Sequence, residues 1–249
     1  MESDTIPREL ENQVYNANRA ASKICYKKMI SDWVPIGLSN HGPMIGLGRI
    51  INEGEASGLI KPGQRVIDLG SGSGSALMMW AYRGYDVTGI ELHSELVKSS
   101  RKIISNANGL FGDRIRIFTG SYYPAEYIKL REHNQSQAKE LEHAIHTSDA
   151  DRFHPVSDGA DVYFRNNFSL KDMDVWYAYT WSIQSPSILE MFSLYARDDA
   201  VLCLVGGFEE QWLKQFSLKQ AKLDNVIGGP YIMKASILPT VKKNRYMDA

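Results

Sequence analysis

With 249 residues, 43% of them hydrophobic and 23% charged, the chain has the size and composition of one globular domain with additions. A formal net charge of −1 argues against the broad basic field that holds nucleic acid. The acidic start Met1-Glu2-Ser3-Asp4 is unlike a secretory signal, no apolar run reaches membrane-spanning length, and the two cysteines, Cys25 and Cys203, read as core thiols. A cytoplasmic protein, off the membrane and reduced, is expected.

In chain order, Pro7 opens a helix over 8–30 whose apolar face is Leu10, Val14, Ala17, Ala21, Cys25 and Met29. Turn residues Trp33, Pro35, Gly37, Gly42 and Pro43 break it, with Asn40 and His41 between them. A second helix over about 44–57 leads through Lys61-Pro62-Gly63 into the stretch that organises the rest. There, Val66, Ile67 and Leu69 form a short apolar strand. Glycines at 70, 72 and 74 end it, and residues 76–83 read as a helix. A second strand over 86–90 closes on Glu91, before a helix over 94–104.

Strand, glycine turn and helix aim backbone N–H groups at a ligand, and an acid at the tip of the second strand can accept both hydroxyls of a ribose. The spacing is not that of a dinucleotide site, because Ser75 stands where G-x-G-x-x-G requires its third glycine. The turn also opens on an acid, Asp68, which repels a pyrophosphate and suits a cationic ligand.

Residues 114–119 alternate as a third strand ending at Gly120-Ser121-Tyr122. An insertion follows over about 124–161, with a polar helix at roughly 125–146 and histidines at 133, 143, 146 and 154. His143 and His146 share a helix face near Asp149 and Asp151, but the ligand set matches no metal site, so a solvated face is expected. A fourth strand is read at 174–181, a helix from Pro186 to about 195, and a fully apolar fifth strand at 200–205. A helix over 208–216 and a final pair of strands within 224–239 complete the chain.

Asp68-x-Gly70-x-Gly72-x-Gly74, continued through Gly84-Tyr85 and Gly89-Ile90-Glu91-Leu92, resembles the class I S-adenosylmethionine (SAM) methyltransferases. Over about 60–105 the likeness is greatest to the small lysine methyltransferases related to the ATP-synthase c-subunit enzymes, and more distantly to Dot1-like enzymes. Ser73, where that group usually has Asp, and the insertion depart from it.

The resemblance implies a Rossmann-like α/β fold: a central, mostly parallel, seven-stranded sheet flanked by helices. Residues 1–60 would form an N-terminal helical lid and 61–249 the SAM-binding core, with the insertion between strands 3 and 4. It implies SAM as cofactor, leaving as S-adenosylhomocysteine (SAH). Gly70, Ser71, Gly72 and Gly74 would let the backbone approach the methionine moiety, with Asp68 near its ammonium group. Glu91 would take the ribose, Leu92, Ser121 and Tyr122 would border the adenine, and the backbone at Tyr177 would complete the amino-acid end.

For the acceptor, strand-end placement puts Tyr177 to Trp181 along the site. Tyr179 and Trp181 offer an aromatic wall, Asn40 and Tyr123 further contacts, and His41 an imidazole base. Aromatic residues at 122, 123, 177, 179, 181, 192, 195 and 208 are expected to surround one cavity. A small aromatic or heterocyclic metabolite, methylated on nitrogen or oxygen by a monomer or homodimer that takes no nucleic acid, is the expected acceptor. Protein lysine methylation and a non-catalytic SAM-binding module are the alternatives.

Overall fold

The computed structural model describes residues 8–32, 42–107, 109–138, 161–180, 185–206, 222–228 and 231–239. Two helices lead, α1 (Arg8–Asp32) and α2 (Gly42–Ala56), and the alternating core follows. It runs β1 (Arg65–Leu69), α3 (Ser75–Tyr82), β2 (Asp86–Glu91), α4 (Ser94–Ser105) and β3 (Ile115–Thr119). Next come α5 (Ala125–Ala138), α6 (Val162–Arg165), a 3-10 turn (Leu170–Asp172), β4 (Val175–Thr180) and α7 (Ser185–Tyr195). β5 (Val201–Gly206), β6 (Lys222–Gly228) and β7 (Tyr231–Pro239) end it.

The strands form one sheet in the order β3-β2-β1-β4-β5-β7-β6. β1 to β5 are mutually parallel, and β7 runs against both β5 and β6. Strand order reverses between β1 and β4, and open parallel sheets hold ligands beyond the strand ends at such a point.

Parallel strands covered on both faces must be apolar on both, and the alternation sorts their side chains into two layers. Val66, Val87, Val175, Tyr177, Val201 and Cys203 face one layer, with Leu47, Ile50 and Ile51 of α2, Leu77, Met78 and Trp80 of α3, and Val97 of α4. Ile67, Leu69, Ile90, Trp176, Leu202 and Leu204 face the other, with Tyr127 of α5 and Ile188, Leu189 and Phe192 of α7. Trp176 and Tyr177, adjacent in sequence, therefore point to opposite faces, as a strand requires. The α1 helix is held by Leu10 and Ala17, both buried, with Val14 packed beside them, against α3 and α4.

At the insertion the structure adds what the sequence did not suggest. The polar helix contributes two core residues, Tyr127 and Ile128. A short helix, α6, returns the chain to the sheet. Asp161 caps it, accepting from the N–H groups of Tyr163 (2.8 Å) and Phe164 (3.2 Å), while its second oxygen takes the Ala125 N–H at 3.1 Å. One carboxylate thus binds the first turn of α5 and the first turn of α6, tying the two ends of the insertion together. Residues 139–160, including His143, His146, Asp149 and Asp151, and the helix expected over 208–216 lie outside the described residues.

Candidate cofactor site

The site is built on the turn between β1 and α3. Gly70, Gly72 and Gly74 have φ of +86°, +50° and +78°, conformations that side chains with a Cβ rarely adopt. With those angles the Gly70 and Ser71 N–H groups both reach the Ile90 carbonyl at 2.9 Å, and the Gly74 N–H reaches the Ser71 carbonyl at 2.8 Å. The turn is closed against the tip of β2.

Two neighbours fit themselves to it. A Cβ on Gly89 would stand 2.7 Å from Leu77 and 2.9 Å from Ser71, so β2 needs a glycine where the turn crosses it. On α4, the buried Ser100 hydroxyl donates to the Leu96 carbonyl (2.8 Å) and the Gly72 carbonyl (3.1 Å), and lies 3.3 Å from where a Gly74 Cβ would be. The sequence motif includes Gly89 but assigns neither it nor Ser100 a role. Gly89 sits within the quoted strand, but only its facing partner reveals why it is glycine.

The two acids behave differently. Glu91, at the tip of β2, is buried and accepts from the Gly72 N–H at 2.9 Å through one oxygen and from the His93 N–H at 2.8 Å through the other. Each oxygen keeps a lone pair for a further donor. Asp68, buried at the end of β1, has one oxygen with no partner, and so does the Ser71 hydroxyl. Burial, and then the charge of Glu91, push the Asp68 carboxyl up to about 8. A buried acid with an unsatisfied oxygen is costly unless a cation or donor arrives.

Opposite Asp68 in the strand register lies Tyr177, whose ring is buried against Trp80 in an edge contact at 6.2 Å. Burial, and then the charge of Asp68, raise its phenol well above the usual range. Tyr179, two residues on and half-buried, is on the same side of the sheet, and burial raises its phenol, so it stays protonated at neutral pH. The Tyr122 ring covers Gly70, with a ring carbon 3.7 Å from where a Cβ there would stand, and its carbonyl takes the Tyr163 phenol at 2.6 Å. The ring of Tyr123 lies 4.4 Å from that of Tyr122, and its N–H donates to Ser121 at 3.1 Å. Leu92 leaves 37% of its surface exposed beside Glu91, an apolar patch at the mouth.

Asp68, Gly70, Ser71, Gly72, Gly74, Glu91 and Leu92 therefore stand together on one rim, with Ser121, Tyr122 and Tyr123 on a neighbouring loop. His41, Asn40 and Trp181 lie outside the described residues. The expected ring of aromatic residues is corrected. Phe192 packs edge-on to Trp176 at 5.4 Å beneath the opposite face from Tyr177, and Tyr195 packs edge-on to Tyr127 at 6.4 Å. Those rings are core, and the sheet separates Tyr177 from Phe192.

No family model matches the sequence, and no curated protein matches it. Solved structures do align. The magnesium protoporphyrin IX methyltransferase of Synechocystis PCC 6803, solved with bound SAM, superposes with a TM-score of 0.52 over 96% of this chain and 100% of its own, at 11% identity. The chain has the class I SAM-dependent methyltransferase fold. An RNA methyltransferase from Salinibacter ruber, solved with SAH, aligns over 79% of this chain and 91% of its own at 14% identity and a TM-score of 0.50. TrmN from Thermus thermophilus aligns at 15% identity and a TM-score of 0.47, and the chain spans 48% of its length.

The residues of this class I methyltransferase fold also suit the cofactor by their own chemistry. The unpartnered Asp68 oxygen asks for a cation or donor, and at Gly72 a Cβ would meet only the Gly70 carbonyl, at 3.9 Å, while the Tyr122 ring lies over Gly70. Among the described residues, no group of three His, Cys, Asp or Glu side chains is placed to hold a metal ion, and no helix is long and apolar enough to cross a membrane.

Proposed function

We propose that the protein is a SAM-dependent methyltransferase that methylates a nitrogen or oxygen of a small aromatic or heterocyclic metabolite. The observation that carries the cofactor half is the pairing of Asp68, buried with an oxygen lacking a partner, with Glu91, across three left-handed glycines. When bound, SAM supplies an electrophilic methyl group whose leaving thioether needs no acid. What the chain must supply is alignment and a dry pocket. Asp68 would meet the ammonium end, the glycine backbone from Gly70 to Gly74 would seat the methionine chain, and Glu91 would accept the ribose hydroxyls. Leu92, Ser121 and Tyr122 would flank the adenine, with the Tyr177 backbone at the amino-acid end.

The acceptor half rests on less. Tyr122, with its ring over Gly70, offers an apolar wall near the turn, and the half-buried Tyr179 another on the opposite side of the sheet, the kind of surface that small planar ligands occupy. The net charge of −1 provides no broad field for a polyanionic or strongly charged partner. Asn40 and Trp181 would add contacts to the acceptor, and His41 would remove its proton. Enzymes of this fold act on a porphyrin and on RNA, so the fold leaves the acceptor open.

The test is to incubate purified protein and methyl-labelled SAM with an extract of the producing cells and separate macromolecules from metabolites. Label in a metabolite fraction is expected. Label confined to a protein band would transfer the reading to lysine methylation, as the cofactor-half resemblance suggests, and label in neither would leave a SAM-binding module.

A further inference from the structure

The N-terminal helix touches the glycine turn through one polar residue. Asn18, half-buried on α1, accepts through its side-chain oxygen from the Ser73 hydroxyl at 2.8 Å and from the Ser75 hydroxyl at 2.6 Å. The two hydroxyl oxygens are themselves 2.7 Å apart. The Ser75 N–H also donates to the Ser73 hydroxyl oxygen at 3.4 Å, so Asn18, Ser73 and Ser75 form one small polar network. Nothing in packing alone asks for this. Leu10, Val14 and Ala17 already dock the helix on α3 and α4. A second observation points the same way: at the start of the same turn, Asp68 and Ser71 are buried and each keeps an oxygen with no partner. The Asn18 end of the turn is thus held by its own hydrogen bonds, while Asp68 and Ser71 at the other end are left for a polar group of a ligand to meet.

We infer that Asn18 is a positioning residue of the cofactor site, fixing the Ser73–Ser75 segment, and through it the turn that carries Asp68 and Ser71, for the amino-acid end of the ligand. This rests on the cofactor reading above. It makes α1 a part of the site rather than an appendage. The residue acts on one end of the ligand, which gives it a signature that a merely structural role lacks. SAH carries the amino-acid end, and 5′-methylthioadenosine carries the same nucleoside without it.

Calorimetric titration of the full chain with both compounds is the test. In Asn18→Ala the dissociation constant for SAH should rise about tenfold, while that for methylthioadenosine stays within about twofold. In Asn18→Asp, which keeps an oxygen acceptor for both serines, SAH should bind at least as tightly as to wild type. Equal losses for both ligands, no loss for either, or an Asn18→Asp variant as weak as Asn18→Ala would overturn the inference. Should Asn18→Ala fail to fold, Asn18→Leu, which keeps the bulk and removes the acceptor, takes its place with the same expected split and the same overturning results. A wild-type protein that binds neither compound would instead bring down the cofactor reading, which separates the two failures.

Discussion

Asp68 carries the sharpest residue-scale consequence. Its buried carboxyl holds a proton up to about pH 8 in the folded protein, whereas an unfolded chain releases it near ~4. Between those values the native state binds more protons than the unfolded state, so this group's contribution makes stability fall as pH rises through the window. Asp68→Asn removes the titration. The ligand-free variant should melt a few degrees higher at pH 8, on the scale of roughly 2–4 °C per kcal/mol for a chain of this size, and its pH dependence over that window should flatten. The same substitution should weaken SAH, because the charge that destabilises the empty site is what an ammonium group needs. A melting curve unmoved at pH 8 would show that Asp68 is not strained there. Gly89 makes the complementary case. Gly89→Ala forces a methyl group within 2.9 Å of Leu77 and Ser71, and should destabilise by about 1–3 kcal/mol in denaturant unfolding, with the midpoint shifting and the slope unchanged.

At the scale of the element, the glycine turn is a device that only its neighbours complete. Gly72→Val demands a left-handed φ from a β-branched residue and fills the space above the turn, so SAH binding should be lost while the far-ultraviolet circular dichroism stays near wild type. Loss of helical signal instead would mean the turn is structural first. This turn was legible in sequence because its information is local: an apolar strand, three glycines at alternate positions, and an acid at the end of each strand. The partners were not legible. Ser100 reads as an ordinary polar residue of α4 and Asn18 as one of the exposed side of α1, and each gains meaning from a contact made 28 and 55 residues away. The short α6 helix escaped notice for a related reason: its signal is a single capping aspartate, Asp161, at the end of a polar insertion. The aromatic residues after β4 misled in the other direction. Rings at 177, 192 and 195 read as a pocket wall, yet alternation along the strand buries Tyr177 in one core, while the α7 helix buries Phe192 in the other with the half-buried Tyr195 packed against it.

Across the whole molecule, a doubly covered parallel sheet holds Asp68 and Glu91 at the ends of neighbouring strands, while α1 closes over the turn between them. That arrangement predicts a nucleoside site that needs no metal. Dialysis against a chelator should leave SAH affinity unchanged, and stoichiometric zinc or iron lost together with binding in His143→Ala would contradict it. The central claim is that this rim binds SAM through the acid that ends β2. Isothermal titration of the wild-type chain with SAH and with NAD, repeated with Glu91→Ala, tests it most directly. The account predicts one SAH per chain, no NAD binding, and a loss of about 2–4 kcal/mol in the variant, for two charge-assisted ribose contacts. NAD binding in place of SAH, or an unchanged SAH affinity without Glu91, would contradict it.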